Sequence, residues 1–147
     1  MTGMEQAIQQ AKKMIEEGVA ACVAIRHGRI IGAAAGRGVG PVLQLYEQGQ
    51  LTGSFLVDKV IGKAAAMVMT RGGFAGCHGI IVSKAALQWL QQNHVAVTYD
   101  HLTDYIVNRT GDGMCPMEQT VLNLQEDTQV ISVLQQKLAQ LRKGSPQ

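Results

Sequence analysis

Aromatic side chains are scarce in this chain of 147 residues, which carries one Trp, three Tyr and two Phe. A core of any size must therefore be built from Val, Ile, Leu, Ala and Met, within a hydrophobic share of 46%. Cysteine is also sparse. Cys22, Cys77 and Cys115 are odd in number and far apart, which excludes a disulfide framework, and the lack of any Cys-x-x-Cys pair removes the usual signature of structural zinc. Charged residues make up 16% of the chain and leave a net charge of +2, too little to imply a nucleic-acid or membrane partner. No stretch approaches the roughly 18 consecutive apolar residues that read as a membrane-spanning helix. Glu5, Lys12, Lys13, Glu16 and Glu17 break up the N-terminal region, so it lacks signal-peptide form. The expectation is one domain over residues 1–147 in a reduced, cytoplasmic setting, with a core over about 4–124 and a C-terminal amphipathic helix over about 128–142.

The hydrophobic pattern gives a succession of elements. Ala7, Ile8, Ala11, Met14 and Ile15 recur at helical spacing and predict a helix from Met4 to Glu17, stopped by Gly18. Val19 to Ile25 is an apolar run of strand length, and Arg29 to Ala35 returns as a second strand after the His27-Gly28 turn, so a hairpin is expected. Gly36-Arg37-Gly38-Val39-Gly40-Pro41 is either a ligand-facing loop, with Arg37 offered to an anion, or a flexible turn into a short helix over Val42 to Gln48. A longer helix is predicted from Val57 or Asp58 to about Thr70, with Val60, Ile61, Ala64, Ala65 and Val68 as its apolar stripe. Ala75 to Val82, a helix from Lys84 to Asn93 capped by Ser83, and Val95 to Tyr99 form a βαβ unit, which predicts parallel pairing. A helix from Asp100 through Val107, one over Met117 to Leu124 and an amphipathic one over Gln129 to Arg142 complete the chain, before a frayed tail over Lys143 to Gln147.

Two stretches carry unusual chemistry. In Thr110-Gly111-Asp112-Gly113-Met114-Cys115-Pro116-Met117-Glu118-Gln119-Thr120, glycines hinge a turn that delivers Cys115 to a helix start, because proline suits the first helical position. A thiol there is near the positive end of the helix dipole. The second stretch is Val57-Asp58-Lys59-Val60-Ile61-Gly62-Lys63-Ala64-Ala65-Ala66. Read as a helix, it places Lys59 and Lys63 on one face of the first turns, where the dipole disfavours cations, and it tolerates a glycine at 62 that costs about 1 kcal/mol relative to alanine. Local choices that work against the element they sit in are where a functional site hides. The bland reading is a solvated lysine face and a packing glycine.

Other candidates are weaker. Cys77 and His78 are adjacent in a strand, so they point to opposite faces and do not bind one ion together. Cys115 paired with His78 or His101 is conceivable as a nucleophile and base, against the alternative of a small buried cysteine. Glu118 is either a general acid or base or a helix-terminus residue, and Asp112 is either a ligand contact or a turn residue.

Taken together, Asp58-Lys59-Val60-Ile61-Gly62-Lys63-Ala64-Ala65 and Gly113-Met114-Cys115-Pro116-Met117-Glu118 make the chain resemble a small uncharacterised bacterial family, domain of unknown function 1893. The resemblance covers about Met4 to Leu124 and implies a cytidine-deaminase-like fold with the order helix, hairpin, helix, strand, helix, strand. It implies no activity. Zinc deaminases carry His-x-Glu or Cys-x-Glu at one helix start and Pro-Cys-x-x-Cys at another. By element order, the helix opening at Asp58-Lys59 and the one after Ser83 stand at those places, and neither holds the ligands. Cys115-Pro116 reverses the order, lacks a second cysteine and comes later.

The fold expected is thus an α/β/α three-layer sandwich around a mixed sheet of four or five strands. The leading functional expectation is a metal-free site, without cofactor, for a small anionic or nucleotide-like ligand between two helix N-termini. Its residues would be Asp58, Lys59, Lys63, Gly113, Met114, Cys115 and Glu118, with Cys115, Glu118 and Asp58 as the catalytic candidates if it is an enzyme. The alternative is a non-catalytic oligomeric or interaction module, such as a homo-oligomer, in which these residues are structural.

Overall fold

A computed structural model describes residues 2–143. Helix α1 (Gly3–Glu16) is opened by Thr2, whose hydroxyl accepts from the Glu5 N–H at 3.1 Å, and is left by way of Gly18 at φ 76°. Strands β1 (Cys22–Arg26) and β2 (Arg29–Ala34) form the expected hairpin. Its turn puts both His27 and Gly28 at positive φ, as a two-residue turn matching strand twist requires. Next come α2 (Gly40–Glu47), β3 (Phe55–Ile61), α3 (Lys63–Arg71), β4 (Gly76–Ser83), α4 (Lys84–Gln92), β5 (Ala96–Thr103), the short α5 (Pro116–Val121) and α6 (Val130–Lys143).

The five strands make one open mixed sheet in the order β2-β1-β3-β4-β5. β1 runs antiparallel to both β2 and β3, whereas β3, β4 and β5 are parallel. Side chains alternate across this sheet and feed two cores. Val23, Ile25 and Val57 pack with Ala7, Ala11 and Ile15 of α1 on one face. Cys22, Ala24, Leu56 and Cys77 face the other way, into a larger core with Leu45, Met67, Met69, Leu90, Val121 and Leu134 from α2 to α6. Full burial of each such aliphatic side chain is worth about 1.5–3 kcal/mol, so this second layer dominates the stability. Helix α6 buries Val130 and Leu134 and half-buries Ile131 and Leu138 against it; its apolar stripe covers the chain's own core. No helix among the described residues is long and apolar enough to cross a membrane.

Two predicted helices are corrected. The stretch from Val57 is strand through Ile61 and becomes helix only at Lys63. β3 is the central strand, covered on both faces at Leu56 and Val57, so its apolar residues run together instead of alternating, and Val57, Val60 and Ile61 fit either period. The predicted helix from Asp100 to Val107 is instead the second half of β5, paired with β4 as far as Ser83↔Thr103, followed by a loop. β5 is an edge strand, largely exposed, and its polar residues read like a helix cap. The predicted tail lies outside the described residues from 144 onward.

Candidate functional site

The correction at β3 rearranges the predicted site. A strand alternates where a helix would not. Asp58 therefore follows Leu56 onto the large-core face and is buried, while Lys59 follows Val57 onto the opposite face and is exposed. Lys59 and Lys63 do not share a helical face, and Lys59 and Asp58 do not share a site.

Asp58 sits opposite Cys22 in the antiparallel pair. The Val60 N–H and the Cys22 thiol beside it favour its charged form, while the Lys59 N–H donates to the Ala21 carbonyl at 2.8 Å. Desolvation outweighs the Val60 and Cys22 contributions and pushes its pKa up to about 7. The same burial, reinforced by the Asp58 charge, pushes the Cys22 thiol well up and the Cys77 thiol to about 12. All three groups are buried.

The convergence lies one helix turn further on. Gly62 is the N-cap of α3 and has no side chain to cap it. The first turn of any helix leaves backbone N–H groups without intrahelical partners. Here Glu118, from the first turn of α5, supplies the acceptors: its Oε1 accepts from the Lys63 N–H at 2.7 Å and its Oε2 from the Ala64 N–H at 3.1 Å. The carboxylate fills the space beside Gly62 so closely that a Cβ there would lie 2.5 Å from the carboxyl carbon. Lys63 returns the contact at the far end of α5, where its Nζ donates to the carbonyls of Leu122 at 3.0 Å and Leu124 at 2.8 Å and lies 5.9 Å from the centre of the Trp89 ring. Each helix end is thus completed by a side chain from the other helix. Desolvation raises the Glu118 pKa despite its backbone donors and Lys63, and it lowers that of Lys63 despite Glu118. What holds the pair is satisfied hydrogen bonding, not a surplus of Coulomb attraction.

Cys115 is the N-cap of α5, half-buried against the large core, and its backbone N–H donates to the Ile106 carbonyl at 2.8 Å. Gly113 and Met114 close a small loop, in which the Gly113 carbonyl accepts from Asn108 N–H and Met114 bridges to Val107. Asp112 accepts from Thr110 and Asn108 side chains within that loop and is a turn residue. His78 projects from the face opposite Cys77: its Nδ1 is 2.7 Å from Thr98 Oγ1, and its Nε2 lies 3.2 Å from Asp100 Oδ1, off the hydrogen-bond direction. The sheet lies between His78 and the core that Cys115 packs against, so the two do not pair. His101 is in β5 and makes no hydrogen bond to Cys115 among the described residues. Sequence reasoning singled out Gly62, Lys63 and Glu118 but not their partnership, because nothing local links residues more than fifty positions apart. It missed the Leu122 and Leu124 carbonyls and the Cys22–Asp58 contact altogether.

Two clefts stand out on the surface. One, of about 380 Å³, runs between α2 and α6 past Leu43, Glu47, Gln135 and Arg142. The other, of about 610 Å³, lies along α1. Neither is lined by Asp58, Lys63, Cys115 or Glu118.

The molecule is thus a mixed α/β protein with an open five-stranded sheet and six helices among the described residues, in which Gly62, Lys63 and Glu118 meet where α5 closes on α3. The model of the family called TM1506, domain of unknown function (DUF1893), matches residues 10–138, and the chain belongs to that family. It is similar to the crystal structure of a DUF1893 family protein (TM1506) from Thermotoga maritima, with 28% identity over 90% of each chain and a TM-score of 0.80. No curated protein matches the chain.

Proposed function

We propose that this protein is a non-catalytic interaction module on a cytidine-deaminase-like fold, in which the signature residues lock the C-terminal helices onto the α/β core. The order of helix, hairpin, helix, strand, helix, strand supports that fold assignment. One observation carries the functional reading. The polar groups that would receive a ligand are already partnered within the chain: the α3 N–H groups by Glu118, and the Lys63 ammonium by two carbonyls. Gly62 fits the same account, since its missing side chain makes room for the chain's own carboxylate.

A second reading keeps the small-molecule site. The start of α3 already holds a carboxylate, which is what a helix N-terminus does for anions in general. In this reading a small anionic or nucleotide-like ligand displaces Glu118 and is bound by Lys63 and the α3 N–H groups, beside Gly113, Met114 and Cys115.

A thermal-shift series with phosphate, nucleotides and divalent metals separates the two. A ligand at a hundred times its dissociation constant adds about 2.7 kcal/mol to stability. The module reading predicts no shift for the wild type. An anion-induced shift in the wild type that Lys63→Met removes would establish the second reading instead.

A further inference from the structure

We infer that residues 104–143 form a strap that lifts from the α/β core as one unit, while the sheet and α1 to α4 stay folded, and that its opening uncovers one side of α3. The inference rests on the reading that Glu118 and Lys63 lock the C-terminal helices onto the core, and it gives that lock an open state of its own. The strap contributes no strand to the sheet. Its backbone hydrogen bonds close on themselves: the Cys115 N–H donates to Ile106, Asn108 to Gly113, Gln119 to Cys115 and Val130 to Asp127. Among the described residues, none of its backbone groups bonds to the backbone of the sheet or of α1 to α4. Lifting it therefore breaks no strand pairing.

The polar contacts that hold the strap lie along a single helix. Glu118 accepts from Lys63 and Ala64 at the start of α3, Lys63 Nζ donates to the Leu122 and Leu124 carbonyls, and Thr70 near the end of α3 donates to Asp127 at 2.7 Å. The other long-range polar ties, Gln135 to Glu47 at 3.3 Å and Lys84 to Asp104 at 2.7 Å, are exposed, and exposed pairs add little. The buried apolar residues of the strap are Met117, Val121, Val130 and Leu134. Val23, Ile25 and Val57 pack beneath α1 on the opposite face of the sheet, so that core stays whole when the strap is off. Segments joined to the rest by few contacts open on their own, below the free energy of global unfolding. The helix beneath is buried without a break from Ala64 to Met69. A helix buried all round needs cover on every side, and α5 and α6 lie against one side of α3. Opening bares that side.

Native-state hydrogen exchange of the full chain under rising denaturant tests this. The amides of Val121 in α5 and Leu134 in α6 are expected to exchange through one common opening, at least tenfold faster than those of β3 and β4. Glu118→Ala should speed Leu134 by the same factor as Val121, although Glu118 belongs to α5; fraying of α6 alone would not respond. Ile15→Val, in the core beneath α1, should speed β3 and β4 by about fivefold and leave Val121 and Leu134 unchanged. Equal protection in strap and sheet, an Ile15→Val effect of the same size on both, or a Glu118→Ala effect confined to α5 would overturn the inference. Failure of the lock itself looks different: Glu118→Ala would then leave the Lys63 and Ala64 amides as they were.

Discussion

The carboxylate of Glu118 occupies the place where a side chain on Gly62 would begin, with 2.5 Å between the built Cβ and the carboxyl carbon. The Gly62 backbone itself, at φ −93° and ψ 177°, is open to any residue. Its glycine is therefore a matter of space and not of backbone freedom. Gly62→Ala should destabilise the protein by roughly 1–3 kcal/mol, the usual cost of overpacking. Once Glu118 is alanine, the same change should be neutral or stabilising by about 0.4–1 kcal/mol, since it then only restricts the unfolded chain. Denaturant midpoints for this double-mutant cycle check the reversal of sign, and a Gly62→Ala cost that persists without Glu118 would refute the contact.

Removing Glu118 leaves two α3 N–H groups without acceptors and Lys63 without its nearby charge. Glu118→Ala should cost about 2–3 kcal/mol, and Glu118→Gln about 1 kcal/mol, because an amide oxygen still accepts one of the two bonds. Lys63→Met frees two carbonyls near the end of α5, which water can reach in part, and should cost about 1 kcal/mol. Urea unfolding gives all three values. An order with Lys63→Met as the worst of them would point to Lys63 as the more important half of the contact.

Asp58 makes stability fall as the solution becomes more alkaline. Its pKa is raised in the folded protein, from 3.8 to about 7, so the folded state holds a proton that the unfolded chain releases. Its contribution is complete below about pH 4 and is lost as pH climbs toward 7, by an amount on the order of a few kcal/mol. The raised pKa of Glu118 acts in the same direction. Asp58→Asn should flatten the stability profile across that window. If stability measured by urea unfolding at several pH values shows the same slope in both proteins, Asp58 is not the buried acid described.

The three thiols should separate by reactivity. Cys22 and Cys77 are buried, with thiols held protonated by desolvation and by Asp58. Cys115 is half-buried at a helix start. A disulfide reagent near neutral pH should modify Cys115 first and reach the other two only on unfolding. Fast labelling of Cys22 or Cys77 in the native protein would mean that the core around Asp58 opens.

Much of this fold was legible in the sequence. The α1 helix, the hairpin, the parallel pairing of β4 and β5, and the helix start at Cys115-Pro116 all follow from local pattern and turn chemistry. β3 was not, because a central strand has no polar face to betray its period, and its one polar inward residue, Asp58, is a buried acid that reads like a helix start. Gly62 did announce itself as a glycine in the wrong place. Its reason was hidden, since Glu118 reaches it from another element. Sequence pattern reports what a residue does within its own strand or helix, and the contact that completes α3 comes from outside it.

The most direct test is hydrogen exchange at two amides. The Lys63 and Ala64 N–H groups have Glu118 as their acceptor, while Ala66 N–H already bonds back to the Gly62 carbonyl. Glu118→Ala should release the first two to rapid exchange and leave Ala66 and the rest of α3 protected. Protection of Lys63 and Ala64 that survives the loss of Glu118, or that is absent from the wild type, would contradict the account.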